Sequence, residues 1–156
     1  MDTIVFRREF RDACAQNRCG KFGKNWMCPP DAGDIDEMIA RAKRYGGAVV
    51  FQTIGALEDS YDVEGMHEAA KKHSAMMQAL AARLGDIAKD YLILGAGGCN
   101  ICARCAKMDD LPCVHPDQAI ASLEAYGIAV SELAAACSLN YSNGANTVTF
   151  FGGILY

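Results

Sequence analysis

Apolar and polar positions follow helical and strand periods along most of the chain after residue 33. Asp34 offers an N-cap with Glu37 in the capping-box position. The apolar residues that follow at helical spacing are Ile35, Met38, Ile39, Ala42 and Tyr45. This pattern predicts a helix that the glycines at 46 and 47 end. Residues 48–54 form a short apolar run rich in β-formers, which predicts a buried strand.

The same periodicities assign most of the remaining chain. A single apolar stripe over 64–84 predicts one long helix that stops at Gly85. The other predicted elements are a strand over 91–94, a helix over 119–126, a helix over 131–139, and a strand over 147–156 interrupted by two glycines.

Strands separated by helices predict an α/β or α+β sandwich with a small three- to four-stranded sheet and flanking helices. With 156 residues, the chain fits one domain, 1–156. Two segments, 1–33 and 97–115, contain most of the cysteines and show little periodicity. We interpret them as cysteine-rich metal-binding loops within that domain.

Charge and hydropathy limit the classes of partner. The net charge of −4 and the absence of a basic stripe argue against nucleic acid as the partner. No apolar run is long enough to span a bilayer, and the first residues lack the pattern of a signal peptide. We therefore expect a cytoplasmic protein without a membrane partner, in a compartment that keeps thiols reduced.

Four of the eight cysteines, Cys99, Cys102, Cys105 and Cys113, lie within fifteen residues and are called the loop cysteines below. Their C-x2-C-x2-C spacing is typical of a loop that wraps a [4Fe–4S] cluster. The seven residues before Cys113 let the loop fold back and complete its own site. Zinc is the alternative, although zinc sites more often pair two C-x2-C knuckles across a longer gap.

The N-terminal cysteines, Cys14, Cys19 and Cys28, form a less regular set that predicts a second possible cluster. Three ligands leave one iron of a cubane unfilled, and Cys137 is the candidate for that position. Alternatively, Cys137 is an ordinary buried thiol on the apolar side of its helix. In that case the open iron would bind a substrate, and the protein would be an enzyme rather than an electron carrier.

Several other residues are candidates for contact with the cofactor. Gly97 and Gly98 would let backbone amides approach the cluster sulfides, and His115 would donate a hydrogen bond to a cluster sulfur. Trp26 would shield a cluster from water, with plain packing as its alternative. His73 lies in the apolar stripe of the long helix, where a core histidine is commoner than a ligand or proton donor.

A set of longer motifs resembles one protein family over nearly the whole chain. The motifs, in order, are Cys28-Pro-Pro, Leu94-Gly-Ala-Gly-Gly-Cys-Asn-Ile-Cys-Ala-Arg-Cys, Cys113-Val-His-Pro, Ser122-Leu-Glu-Ala-Tyr-Gly-Ile and Asn143-Gly-Ala-Asn-Thr-Val-Thr-Phe-Phe-Gly. They resemble the bacterial and archaeal predicted metal-binding proteins called domain of unknown function 2284. The resemblance implies that the N-terminal cysteines and the loop cysteines are the metal ligands, and it implies no particular reaction.

The sequence thus favours an iron–sulfur protein that passes single electrons to a redox partner protein. It would contain one [4Fe–4S] cluster at the loop cysteines and possibly a second at the N-terminal cysteines. The alternatives are an iron–sulfur enzyme with an open iron site and a zinc-stabilised interaction module.

Overall fold

The structure, a computed structural model that describes residues 3–156, has four α-helices and a three-stranded antiparallel sheet in that range. The predicted sandwich is therefore of the α+β class. In chain order the elements are α1 (Phe10–Ala15), α2 (Ile35–Ala42), β1 (Ala48–Ala56), α3 (Val63–Ile87), β2 (Leu92–Leu94), α4 (Val130–Ala136) and β3 (Thr147–Leu155). Two short 3-10 helices span Ala106–Asp109 and Glu124–Tyr126.

The N-cap of α2 is the one that the sequence predicts. The Asp34 carboxylate accepts the backbone N–H groups of Asp36 and Glu37 at 2.9 and 3.1 Å. The helix ends at Ala42, three residues earlier than predicted, although Tyr45 is still buried against the core. Met38 and Ala42 on its apolar face are buried in the core, where the helix contacts residues 124–126.

Strand β3 is the centre of the sheet, whose order is β1-β3-β2. It continues through Gly152 and Gly153, so the predicted interruption is wrong. A Cβ atom on Gly152 would lie 2.6 Å from the ring of Phe51 and 2.8 Å from the sulfur of Met77. Glycine is needed at this position because the side chains of Phe51 on β1 and Met77 on α3 both pack against it.

We expect Gly152→Ala to lower the free energy of unfolding by about 1–3 kcal/mol, because the new methyl group overpacks this contact. Gly46→Ala is the matched control, since a Cβ atom there meets nothing within 4 Å. Denaturant unfolding of both variants measures the difference. Equal stabilities would show that Phe51 moves aside at little cost.

Helix α3 covers one face of the sheet, with His73 and Met77 as its buried residues. It continues past Gly85 to Ile87, so this glycine does not end the helix as predicted. The opposite face of the sheet carries the main core, which α2, α4 and the segment around Leu123 close. Among residues 3–156, no helix is both long and apolar enough to cross a membrane.

The predicted helix over 119–126 is wrong, because its first half is extended. The N–H of Gly95 donates to the carbonyl of Ala121 at 2.9 Å, and the carbonyl of Gly95 accepts the N–H of Leu123 at 3.0 Å. Only the 3-10 helix Glu124–Tyr126 remains. These two hydrogen bonds fasten the residues that follow β2, which lead directly into Cys99.

The N-terminal segment contains a short helix, α1, that the sequence does not predict. The residues before it run alongside the segment that precedes α4. The N–H of Arg7 donates to the carbonyl of Gly127, and the N–H of Ala129 donates to the carbonyl of Val5 at 2.9 Å. This pairing places Cys14, which is in α1, near the 3-10 helix Glu124–Tyr126.

Candidate metal centre

All four loop cysteines line one cavity of about 280 Å³, called the cysteine cavity below. Its other walls come from residues 20–27 and from His115 and Ala119. All eight cysteines are free thiols. Within residues 3–156, no three His, Cys, Asp or Glu side chains converge closely enough to hold a single metal ion. The predicted ligands therefore share a cavity without forming a ready-made site for one ion.

The turn that leads into the first loop cysteine depends on Gly97, whose φ of +68° suits glycine. Burial raises the pKa of the Cys99 thiol, while hydrogen bonds from the backbone N–H groups of Ile101 and Ile120 act in the opposite direction. The backbone amides of these two residues thus approach the Cys99 sulfur, while the role of Gly97 and Gly98 beside cluster sulfides stays a prediction.

A tight turn returns the chain from Cys105 to Cys113. Cys105 precedes the 3-10 helix Ala106–Asp109, and Asp110 then adopts a left-handed conformation with φ of 50°. The N–H of Leu111 donates back to the carbonyl of Ala106 at 3.1 Å. This turn brings Cys113 to the cavity that the other three loop cysteines line. The gap of seven residues before Cys113 predicts such a return of the chain.

Residues 20–27 form the opposite wall and are fastened to the cysteine loop by two side chains. Asn25 is only 2% exposed, and its amide nitrogen donates to the carbonyl of Cys99 at 2.8 Å. The indole N–H of Trp26 donates to the carbonyl of Leu111 at 2.9 Å. Trp26 therefore lines the cavity, where it was predicted to shield a cluster, and also joins the two loops.

A cation also stabilises this junction. The Lys107 ammonium lies 4.8 Å from the centre of the Trp26 ring and 3.0 Å from carboxylate oxygens of both Asp31 and Asp110. Lys107 thus connects the cysteine loop to residue 31 of the N-terminal segment. Each loop therefore helps to order the other.

The N-terminal cysteines lie near one another, outside the wall of the cysteine cavity. Burial, followed by the charges of Cys19 and Cys14, raises the pKa of Cys28 to about 11. Burial and the charge of Cys19 also raise the pKa of Cys14. Thiols that share a half-buried site in this way need a positive partner before they can all ionise.

The two cysteine sets meet at Gly98. A Cβ atom on Gly98 would lie only 3.0 Å from the sulfur of Cys28. The charge of Cys99 also acts on Cys28. Gly98, which was predicted to let backbone amides reach a cluster, is thus the place where the N-terminal cysteines approach the cysteine loop.

Cys137 stands apart from both sets. It is exposed at the end of α4, so the alternative of a buried core thiol is wrong. The first turn of α4 lies beside Val5 and Arg7, and seven helical residues carry Cys137 about 10 Å away from that end. Its charge is not among those that act on Cys14 or Cys28.

Two of the three histidines, His115 and His73, are site candidates, and they differ in position. His115 is exposed and lines the cysteine cavity, and its predicted hydrogen bond to a cluster sulfur stays a prediction. His73 is buried at 2% exposure, and its Nδ1 lies 2.8 Å from the hydroxyl of Thr53. His73 is therefore a core residue with one hydrogen-bond partner.

Glu124 is a site residue that sequence reasoning missed. Burial raises the pKa of its carboxyl group, while hydrogen bonds from its own N–H and from the Ser122 hydroxyl act in the opposite direction. Its negative charge also raises the pKa of Cys14, as a smaller effect than burial. The one signal in the sequence is an acidic residue inside the otherwise apolar stretch from Leu123 to Ile128.

We expect Glu124→Gln to be more stable than the parent protein at neutral pH. A raised pKa means that the folded state holds the proton of Glu124 more tightly than the unfolded state does. The contribution of this proton to the free energy of unfolding is therefore fully present below the unfolded pKa of about 4.3, and it is lost as the pH rises through the folded pKa. The advantage of the variant should therefore shrink as the pH falls towards 4. Thermal unfolding between pH 4 and 8 tests this, with Glu58→Gln on an exposed loop as the control. An advantage that does not change with pH would contradict it.

Positive side chains surround the cysteine cavity despite the negative net charge of the protein. Lys21, Lys24 and Arg104 all line it, and Arg104 also pairs with Asp109 at 2.8 Å. A group held by four thiolates is anionic, so cations at the mouth of the cavity would lower the cost of holding it. The donor set and the charge of the walls both suit an iron–sulfur cluster.

Comparison with known proteins gives a match to one family model. Neither curated proteins nor solved structures provide a match. A family model described as "Predicted metal-binding protein (DUF2284)" matches residues 1–156, which is the whole chain. The cysteine-rich sites described above fit that description, and the chain belongs to this family of predicted metal-binding proteins.

Proposed function

We propose that this metal-binding protein is an iron–sulfur protein that transfers single electrons to a partner enzyme. The observation that carries the proposal is the convergence of Cys99, Cys102, Cys105 and Cys113 on one cavity of about 280 Å³. These cysteines would hold one [4Fe–4S] cluster, and the N-terminal cysteines would hold a second. When bound, such clusters supply one-electron redox chemistry.

The contact at Gly98 supports electron transfer between the two sites. Cys28 belongs to one set and lies against the backbone that directly precedes Cys99 of the other. The hydrogen bond from Asn25 to the carbonyl of Cys99 fixes this contact. Two redox groups held this way would be neighbours, which suits a carrier that accepts an electron at one site and delivers it from the other.

Exposed apolar side chains beside the cavity support docking of a redox partner protein. Met108, Leu111 and Val114 are 48%, 57% and 63% exposed, and all three belong to the cysteine loop. Three such side chains on one loop offer a small contact area, and weak redox encounters bury less area than stable interfaces do. Eight free thiols also fit a reducing, cytoplasmic location.

Anaerobic purification with quantification of iron, acid-labile sulfide and zinc tests the proposal. We expect a brown protein with iron and sulfide in equal amounts, about eight of each per chain if both clusters are complete. A colourless protein with stoichiometric zinc and no sulfide would contradict the proposal and favour a zinc-stabilised interaction module.

A second candidate function is an iron–sulfur enzyme with an open coordination position at the N-terminal cysteines. The electrostatics of the N-terminal set favour it, because Cys14, Cys19 and Cys28 act on one another while Cys137 acts on neither Cys14 nor Cys28, which leaves three cysteines together at that site. A small thiol or carboxylate added to the reduced protein should perturb its spectrum if the position is open. A cluster that resists both added ligand and iron loss on mild oxidation would rule this candidate out.

A further inference from the structure

His73 is a buried titratable side chain that the proposed function leaves unused. It lies on α3, between the sheet and the residues that follow β2. Its ring packs against Phe150 with 5.6 Å between ring centres, and its Nδ1 contacts the hydroxyl of Thr53. Within residues 3–156, its Nε2 is buried and has no hydrogen-bond partner. A buried polar atom without a partner is costly, so a missing partner is expected.

A small cavity of about 20 Å³ lies next to this histidine. His73, Ser74 and Met77 line it from α3, and Gly98, Cys99 and Asn100 line it from the cysteine loop. This volume is sufficient for one water molecule, which needs two to four polar partners. The imidazole of His73, the hydroxyl of Ser74 and the thiol of Cys99 offer such partners.

We propose that one water molecule occupies this cavity, accepts a hydrogen bond from Nε2 of His73 and donates one to the sulfur of Cys99. His73 would then be a positioning residue on α3 that acts on the first loop cysteine through this shared cavity. The effect on redox properties rests on the proposed function. A hydrogen bond to a ligand sulfur stabilises the reduced, more negative state of a cluster and so raises its reduction potential.

The environment of the ring fits this role. Burial lowers the pKa of His73, and the nearby carbonyl of Phe151 partly opposes this effect without meeting hydrogen-bond geometry. The imidazole is therefore neutral at neutral pH and carries one N–H. When the Thr53 hydroxyl donates to Nδ1, the ring proton is on Nε2, and this is the tautomer that the proposed water contact requires.

A competing explanation is that His73 only fastens α3 to β1 through Thr53. Both explanations predict that His73→Phe loses stability, so stability does not separate them. Only the water-mediated role predicts a change in the reduction potential of a fully loaded protein. The test therefore compares variants at equal cluster content.

We expect His73→Phe to lower the midpoint potential of the loaded protein, because the donor is lost. His73→Gln should keep most of the parent potential, because its amide can donate to the same water. Met77→Leu is the control, since Met77 lines the same cavity, is buried at 2% exposure and has no N–H to offer. No shift in His73→Phe, or an equal shift in Met77→Leu, would overturn the proposal.

A crystal structure of the unsubstituted protein, grown anaerobically, tests the water itself and requires no variant to fold. We expect one ordered water within hydrogen-bond distance of Nε2 of His73 and of the sulfur of Cys99. An empty cavity would overturn the proposal. If the protein holds zinc, the proposed electron transfer fails while the water is still tested, so the two failures are distinguishable.

Discussion

Replacing Cys102 with serine should reduce the iron bound per chain from about eight to about four. Cys102 lines the cysteine cavity with the three other loop cysteines. Serine is a poorer ligand for iron than a thiolate, so the cluster in this cavity should be lost. The N-terminal cysteines lie outside the cavity wall, and their cluster should remain. Iron and sulfide analysis of anaerobically purified protein measures the change.

Cys137→Ser is the matched control for this experiment. Cys137 does not line the cysteine cavity and its charge does not act on Cys14 or Cys28, so its replacement should leave the iron content and the absorption spectrum unchanged. Loss of about four irons from Cys137→Ser would instead identify it as a ligand of the N-terminal set. Unchanged iron in Cys102→Ser would contradict the proposed cluster in the cysteine cavity.

Removal of the metal should disorder both cysteine loops while α2 and α3 persist. The two loops are joined by only a few side chains, those of Asn25, Trp26 and Lys107, and their apolar residues Met108, Leu111 and Val114 are exposed. Such segments bury too little apolar surface to offset the entropy of ordering them. We therefore expect fast amide exchange near residues 10–33 and 97–115 in the metal-free protein, measured by hydrogen exchange.

The helices provide the internal control for this measurement. The exchange rates of α3 amides should change little on metal removal, because Met77 and His73 keep the helix packed on the sheet. Protection that persists across both loops without metal would contradict the prediction. It would indicate that protein contacts alone order the cysteines.

Local sequence determined the elements whose signals lie within a few residues of one another. The N-cap at Asp34, the single stripe of α3 and the existence of each strand follow from spacing along the chain, because backbone geometry repeats at 3.6 or 2 residues. The spacing of the loop cysteines likewise predicted that they would share one site. The predicted helix over 119–126 failed because pairing with Gly95 overrode its apolar periodicity.

Tertiary structure decided how the two cysteine loops meet and which other residues belong to the site. Asn25 contacts the carbonyl of Cys99 across 74 residues of chain, and Trp26 contacts that of Leu111 across 85. The burial of Glu124 beside Cys14 and the exposure of Cys137 depend on the packing of α1 and α4 in the same way. These features arise from contacts between distant segments, and no periodicity along a single sequence encodes which segments will touch.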